Sequence, residues 1–197
     1  MLDKDLMKII QNRRSIRRFK RKIIDLKDLR DITKAGSYAA SAGNRQLWHF
    51  IIVNNAKMVA EIFKCLEWLS GAGIIDESKS PGAYIIVLLK NPNNKWPIIS
   101  DGAAAIQNMM LMSYAKGIGS CWVGSIKKNR VHELLKIPKH LTIFSTIALG
   151  YPDEDPMVEE VNLKEPKVYI NTTGKMFIQK RVLESIISIN EFKSSLL

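Results

Sequence analysis

Cysteine is scarce in this sequence: Cys65 and Cys121 are the only two, far apart and outside any CxxC or Cys/His grouping. That excludes a disulfide framework and leaves a cysteine-built zinc site without ligands, so both thiols are expected to be buried and inert. His49, His132 and His140 are scattered without metal-ligand spacing, and no metal is expected. A GxSxG nucleophile elbow and a P-loop phosphate motif are also missing. No run reaches the roughly 18 uninterrupted apolar residues a membrane-spanning helix needs. The first ten residues, charged at Asp3, Lys4, Asp5 and Lys8, lack the apolar centre of a signal peptide, so a cytoplasmic location is expected. Acidic charge is in deficit as well: 19 Asp and Glu against 30 Lys and Arg, a net +11. Such an excess attracts polyanions, whether nucleic acid, a membrane surface or a small phosphorylated ligand.

What is present is an ordinary globular pattern, 46% hydrophobic over 197 residues, without repeats or low complexity. The length fits one domain. Leu2, Leu6, Ile9 and Ile10 mark one face of a first helix. Asp25 caps a second, whose apolar positions are Leu26, Leu29, Ile32 and Ala35. WHFIIV, from Trp48, reads as a strand, and residues 58–69 as a helix ended by Gly71 and Gly73. AYIIVLL at 83–89 is apolar throughout and reads as a strand covered on both faces. A turn at Pro92, Asn93 and Asn94 leads to a helix over 98–116, apolar on nearly every side and expected to be central and buried. Its run Ala103, Ala104, Ala105 would admit a second backbone closely. A short strand at 120–123, a helix carrying Val131, Leu134 and Leu135, and a strand at 141–149 follow. Residues 153–165 are acidic and read as a surface excursion. Ile178, Val182, Ile186 and Ile189 keep helical spacing across 177–192, giving a C-terminal helical arm over 174–197. The pattern by itself supports α+β or α/β.

Three segments carry chemistry. Residues 13–22, RRSIRRFKRK, hold seven basic residues in ten. Guanidinium forks match phosphate oxygens, and an extended backbone sets Arg13, Ser15 and Arg17 on one side. Taken alone, the run equally suits a solvated loop or a nucleic-acid arm. Ser41-Ala42-Gly43-Asn44-Arg45-Gln46-Leu47-Trp48 brings two amide side chains, each donor and acceptor, onto a loop before a strand. An ordinary polar turn is the simpler account of that loop in isolation. Gly117-Ile118-Gly119-Ser120-Cys121-Trp122-Val123-Gly124 is not a dinucleotide fingerprint, because its glycines follow a helix and Trp122 replaces the third. It leaves small residues whose backbone could face a flat ligand, or a plain chain reversal.

In this order and spacing the segments resemble the nitroreductase family: RRSIRRF, SAGNRQLWHF, a long apolar helix, GIGSCWVGSI and IALGYPDEDP, spanning about residues 10–156. The resemblance implies an α+β fold, a central, mostly antiparallel sheet flanked by helices, in a single domain over 1–197. It implies an intertwined homodimer with FMN between subunits. Arg13, Arg14, Ser15 and Arg17 would hold the phosphate, ribityl chain and pyrimidine edge. Ser41, Asn44 and Gln46 would come from the partner's loop, Val123 and Gly124 would lie near flavin N5, and Lys164 or Lys167 would reach the phosphate. No side chain would act as nucleophile. NADH or NADPH would supply a hydride in a ping-pong cycle, and a nitroaromatic, quinone or related small molecule would accept the electrons. The sequence departs from the family where Ala40 precedes Ser41 and Leu47 stands in place of a proline, which loosens the loop but removes no ligand donor. A nucleic-acid-binding module, or a flavin sensor or store without turnover, are the competing expectations.

Overall fold

The computed structural model describes residues 2–68, 76–90 and 96–192. The chain divides into two compact units, residues 1–154 and 155–197. The first contains α1 (Leu2–Asn12), β1 (Phe19–Lys20), α2 (Leu26–Ser37), β2 (Trp48–Val53), α3 (Ala56–Phe63), β3 (Ala83–Lys90), α4 (Trp96–Ala115), β4 (Gly119–Val123), α5 (Lys128–Leu135) and β5 (Leu141–Pro152). The second contains β6 (Met157–Val161), β7 (Val168–Ile170) and β8 (Met176–Arg181).

β5 organises the first unit. It pairs with β3 along one edge and with β4 and β1 along the other, and β2 adds beyond β3; every pairing is antiparallel. β3 is buried on both faces, which is why its sequence shows no polar alternation. Tyr84, Ile86 and Leu88 join Ile62, Cys121, Val131 and Ile143 in one core. Ile85 and Val87 join Leu29, Ile32, Ile106 and Met109 in the other. The two-residue period of a strand thus feeds two separate cores.

Asp25 caps α2 as expected, its side chain accepting the Lys27 N–H. The close approach expected near the alanine run occurs between α2 and α4: a Cβ on Gly36 would lie 2.2 Å from Met109 Cε and 3.2 Å from the Ala105 carbonyl. Lys116 ties the same two elements, bonded to Asp28 at 2.8 Å and Asp31 at 2.7 Å.

Several expectations change. α4 is not enclosed in the single chain: Met112 and Tyr114 are exposed. Leu111, Met112 and Ala115 line an apolar groove of about 610 Å³ with Leu6, Ile9 and Tyr38. The helix expected over 58–69 ends at Phe63, after which Leu66 bridges to Ile126. Gly71, Gly73 and the turn at Pro92, Asn93 and Asn94 lie outside the described residues. The supposed excursion at 153–165 contains β6.

The C-terminal helix expected over 177–192 is replaced by β8, which pairs parallel to β6 and antiparallel to β7, followed by a short 3-10 turn. Local turn chemistry outweighs the apolar spacing here. Asn171 Oδ1 accepts from Thr173 N, Thr173 Oγ1 and Lys175 N, and Gly174 takes φ 78°, closing a β7–β8 hairpin. Tyr169 then stacks on Phe177 at 5.3 Å across it.

Candidate functional site

The arginine segment is folded onto β4 rather than projecting. Ser15 forms a bridge with Ser120, and the Ile16 N–H donates to the Ser120 carbonyl at 2.9 Å. Ile16 and Phe19 are buried beside two glycines. A Cβ on Gly119 would lie 2.9 Å from Ile16 Cβ, and one on Gly150 would lie 2.5 Å from Phe19 Cδ1. The cross-strand pair Gly119–Gly150 is therefore the seat on which the segment rests. Glu154, just past β5, holds the other side: it accepts the Arg17 N–H at 2.5 Å, the Arg18 N–H at 3.2 Å and Arg18 Nη1 at 3.4 Å. Lys22 sits 4.1 Å from the centre of the Tyr151 ring, so part of the basic run is satisfied internally.

Arg13 and Arg14 are not satisfied in that way. Arg14 Nη1 donates to the Arg13 carbonyl at 2.6 Å, yet Arg13 Nη1, Arg14 Nε and the Ser120 hydroxyl are buried without a partner among the described residues. Burial pulls the Arg13 pKa below its usual value, and burial followed by repulsion from Arg13 does the same to Arg14. Two half-buried guanidinium groups with free donors are costly until an anion meets them. Cys121 lies beneath them as an inert thiol: burial pushes its pKa up, with Arg17 and Arg13 opposing. Burial likewise raises that of Cys65.

The amide loop is a second, separately supported segment. Gly43, Asn44 and Gln46 have φ of 62°, 53° and 50°, so two non-glycine residues sit in the left-handed region. Hydrogen bonds hold them there. Ser41 Oγ accepts the Gln46 N–H at 3.2 Å, the Asn44 N–H donates to the Ser41 carbonyl at 2.9 Å, and Arg45 Nε donates to the Ala42 carbonyl at 2.9 Å. Gln46 Nε2 donates to Asn44 Oδ1 at 2.9 Å. The pair is left to present an amide NH₂ from Asn44 and a carbonyl from Gln46. Asp101 on α4 anchors the loop from below, its Oδ1 accepting the Ala42 N–H at 3.0 Å.

At the far end of β4, Val123 is buried and Gly124 is exposed, with nothing within 4 Å of where a Gly124 Cβ would sit. Arg13, Arg14, Ser15, Arg17, Val123 and Gly124 are thus gathered along one strand. Ser41, Asn44 and Gln46 are held on α4 and make no hydrogen bond or ion pair with those arginines or with Ser15 among the described residues. Lys164 belongs to the second unit, between β6 and β7.

Sequence reasoning missed Asp101 and Glu154. Glu154 was hidden in an acidic stretch read as solvated. Asp101 was the only charge in an otherwise apolar helical run, a signal that could have found it.

The first unit thus combines an antiparallel sheet and helices with an arginine-rich edge, an amide loop and an open strand end. Residues 10–78 and 81–151 match the model of the Nitroreductase family, and the chain belongs to that family. It is 35% identical over 163 residues to a protein of Archaeoglobus fulgidus named as a candidate NADH dehydrogenase/NAD(P)H nitroreductase, covering 77% of this chain and 87% of that one. It is 24% identical over 162 residues to the FMN reductase (NADPH) of Bacillus subtilis, covering 73% and 64%. The solved FMN-dependent nitroreductase of Clostridium difficile R20291 shares the fold with a TM-score of 0.68 at 22% identity, over 94% of this chain and 99% of that one.

Proposed function

We propose that this chain is an NAD(P)H-dependent flavin oxidoreductase that binds FMN and works as a homodimer. The observation that carries the reading is the pair of buried, unpartnered donors Arg13 Nη1 and Arg14 Nε. They ask for an anion with several oxygens, and a phosphomonoester supplies one. The names of the FMN-binding relatives support the same choice.

Bound FMN would accept a hydride from NADH or NADPH and pass the electrons to a nitroaromatic, quinone or related small acceptor. Arg13, Arg14 and Ser15 hold the phosphate and ribityl chain. Arg17, whose backbone Glu154 fixes, places positive charge at the N1/O2 edge of the ring. Val123 and Gly124 pass beside N5. Ser41, Asn44 and Gln46 come from the loop of a second copy, which agrees with that loop being held on α4 and not against the arginines. The same second copy covers the apolar groove of α4. A nucleic-acid arm fits less well, because the basic run is seated on β4 through the buried Ile16 and Phe19.

The test is anaerobic addition of NADH or NADPH to the FMN-loaded protein, followed by a quinone. Bleaching of the yellow colour and its return with quinone is the expected result. A flavin that neither donor bleaches would leave a store or sensor, not an enzyme.

A further inference from the structure

Ser145 stands where β5 is irregular. Val87 of β3 faces Ser145 and Leu88 faces Ile143, so Phe144 is an extra, unpaired residue and the strand bulges there. A bulge re-aims its neighbouring side chains. Phe144 packs edge-on to Trp122 at 6.1 Å, and Gly102 of α4 admits it, since a Cβ at Gly102 would lie 3.0 Å from Phe144 Cδ1. Ser145 is nearly fully buried, and its hydroxyl is used twice. It accepts from Trp122 Nε1 at 2.6 Å and donates to the Val123 carbonyl at 2.8 Å.

This relay ends on the peptide that joins Val123 to Gly124. The β4–β5 ladder ends with Val123 opposite Thr146; the Ser120 carbonyl is turned out to Ile16, so alternation along the strand turns the Val123 carbonyl toward β5, where the Ser145 hydroxyl adds a bond to it. A trans peptide is planar, with its C=O and N–H pointing in opposite directions. Holding the Val123 carbonyl toward Ser145 therefore turns the Gly124 N–H the other way. That N–H makes no hydrogen bond among the described residues, and Gly124 is exposed with open space beside it. Polarisation along the chain from indole to hydroxyl to carbonyl makes the N–H a better donor.

We infer that Ser145, supported by Trp122, is a positioning residue that aims the Gly124 amide at an acceptor atom of the bound ring, N5. The inference rests on the FMN reading above. Neither residue touches the ring through this relay; both act through the backbone. A donor fixed on N5 favours the ring form whose N5 lone pair is free, so losing it makes the flavin easier to reduce.

The experiment compares FMN-loaded wild type with Ser145→Ala, Ser145→Thr and Trp122→Phe, reading the visible flavin band and the midpoint potential. Ser145→Ala is expected to shift the band and raise the potential, by about the fivefold change in equilibrium constant that one ordinary hydrogen bond carries. Trp122→Phe gives a smaller shift of the same sign, and Ser145→Thr, which keeps the hydroxyl, restores wild-type values. An unchanged band and potential in Ser145→Ala, or in Trp122→Phe should the first variant fail to fold, overturns the clamp alone. A wild-type protein that takes up no FMN overturns the flavin reading, and the clamp with it.

Discussion

Asp101 and Ala42 are joined by a 3.0 Å hydrogen bond that ties the first half of α4 to a loop with two non-glycine residues in the left-handed region. The other oxygen of Asp101, Oδ2, is buried without a partner among the described residues. The burial of this carboxylate is therefore only half compensated. Holding the amide loop in one shape is what it accomplishes.

Replacing Asp101 with Ala should therefore loosen the loop more than the rest of the fold. The expected loss is roughly 1–3 kcal/mol of stability, the cost of leaving the Ala42 N–H unmet. Urea denaturation checks the size, and hydrogen exchange at Asn44 and Gln46 checks the location. Asp101→Asn, which keeps an acceptor, should recover most of both.

Arg13→Ala should weaken FMN binding by about 1.5–3 kcal/mol, the range of a hydrogen bond to a charged group. Flavin fluorescence during titration measures it. The FMN-free variant should be no less stable than wild type, because the group removed is a half-buried guanidinium with an unmet donor. A loss of stability without a loss of FMN affinity would assign Arg13 to the fold instead.

Gly119→Ala tests the seat beneath the arginines. The new methyl would meet Ile16 Cβ at 2.9 Å, and both are held in a strand-edge bridge region with little room to yield. Overpacking of this kind costs roughly 1–3 kcal/mol. Thermal denaturation should show the loss, and FMN affinity should fall with it as Arg13 to Ser15 lift from β4.

The Lys116 contacts give a pH dependence. Hydrogen bonds donated to Asp28 and Asp31 raise the Lys116 pKa, and the hydrogen bond from Lys116 lowers that of Asp31. A lowered carboxylate pKa stabilises the fold above its unfolded value and is lost as pH falls through the folded one. A raised amine pKa stabilises below its unfolded value and is lost as pH rises through the folded one. Lys116→Met should thus be destabilised relative to wild type from about pH 5 to 10, and the gap should close toward pH 2 and above pH 11. Denaturation midpoints across that range check it; a gap independent of pH would mean packing, not charge, joins α2 to α4.

Much of the first unit was legible because its elements obey one rule each. Asp25 before a helical apolar run marks α2, and seven unbroken apolar residues, 83–89, mark β3. The site segments were legible as residue types but not as an assembly. Nothing in RRSIRR says that Glu154 will take its backbone amides, since that contact closes a chain separation of 137 residues. The C-terminal region was misread because Ile178, Val182, Ile186 and Ile189 suit a helix, while the Asn171–Gly174 turn decides for a hairpin. α4 was misread in its burial because an apolar pattern does not say which positions a neighbouring element covers, and Met112 and Tyr114 stay exposed.

Titration of FMN into the purified, flavin-stripped protein, followed by quenching of the free-flavin fluorescence, bears most directly on the central claim. Saturation at one FMN per chain, with affinity sharply reduced in an Arg13→Ala, Arg14→Ala double variant, is the predicted result. Fluorescence that stays unquenched at every ratio, or quenching that the double variant leaves untouched, would contradict it.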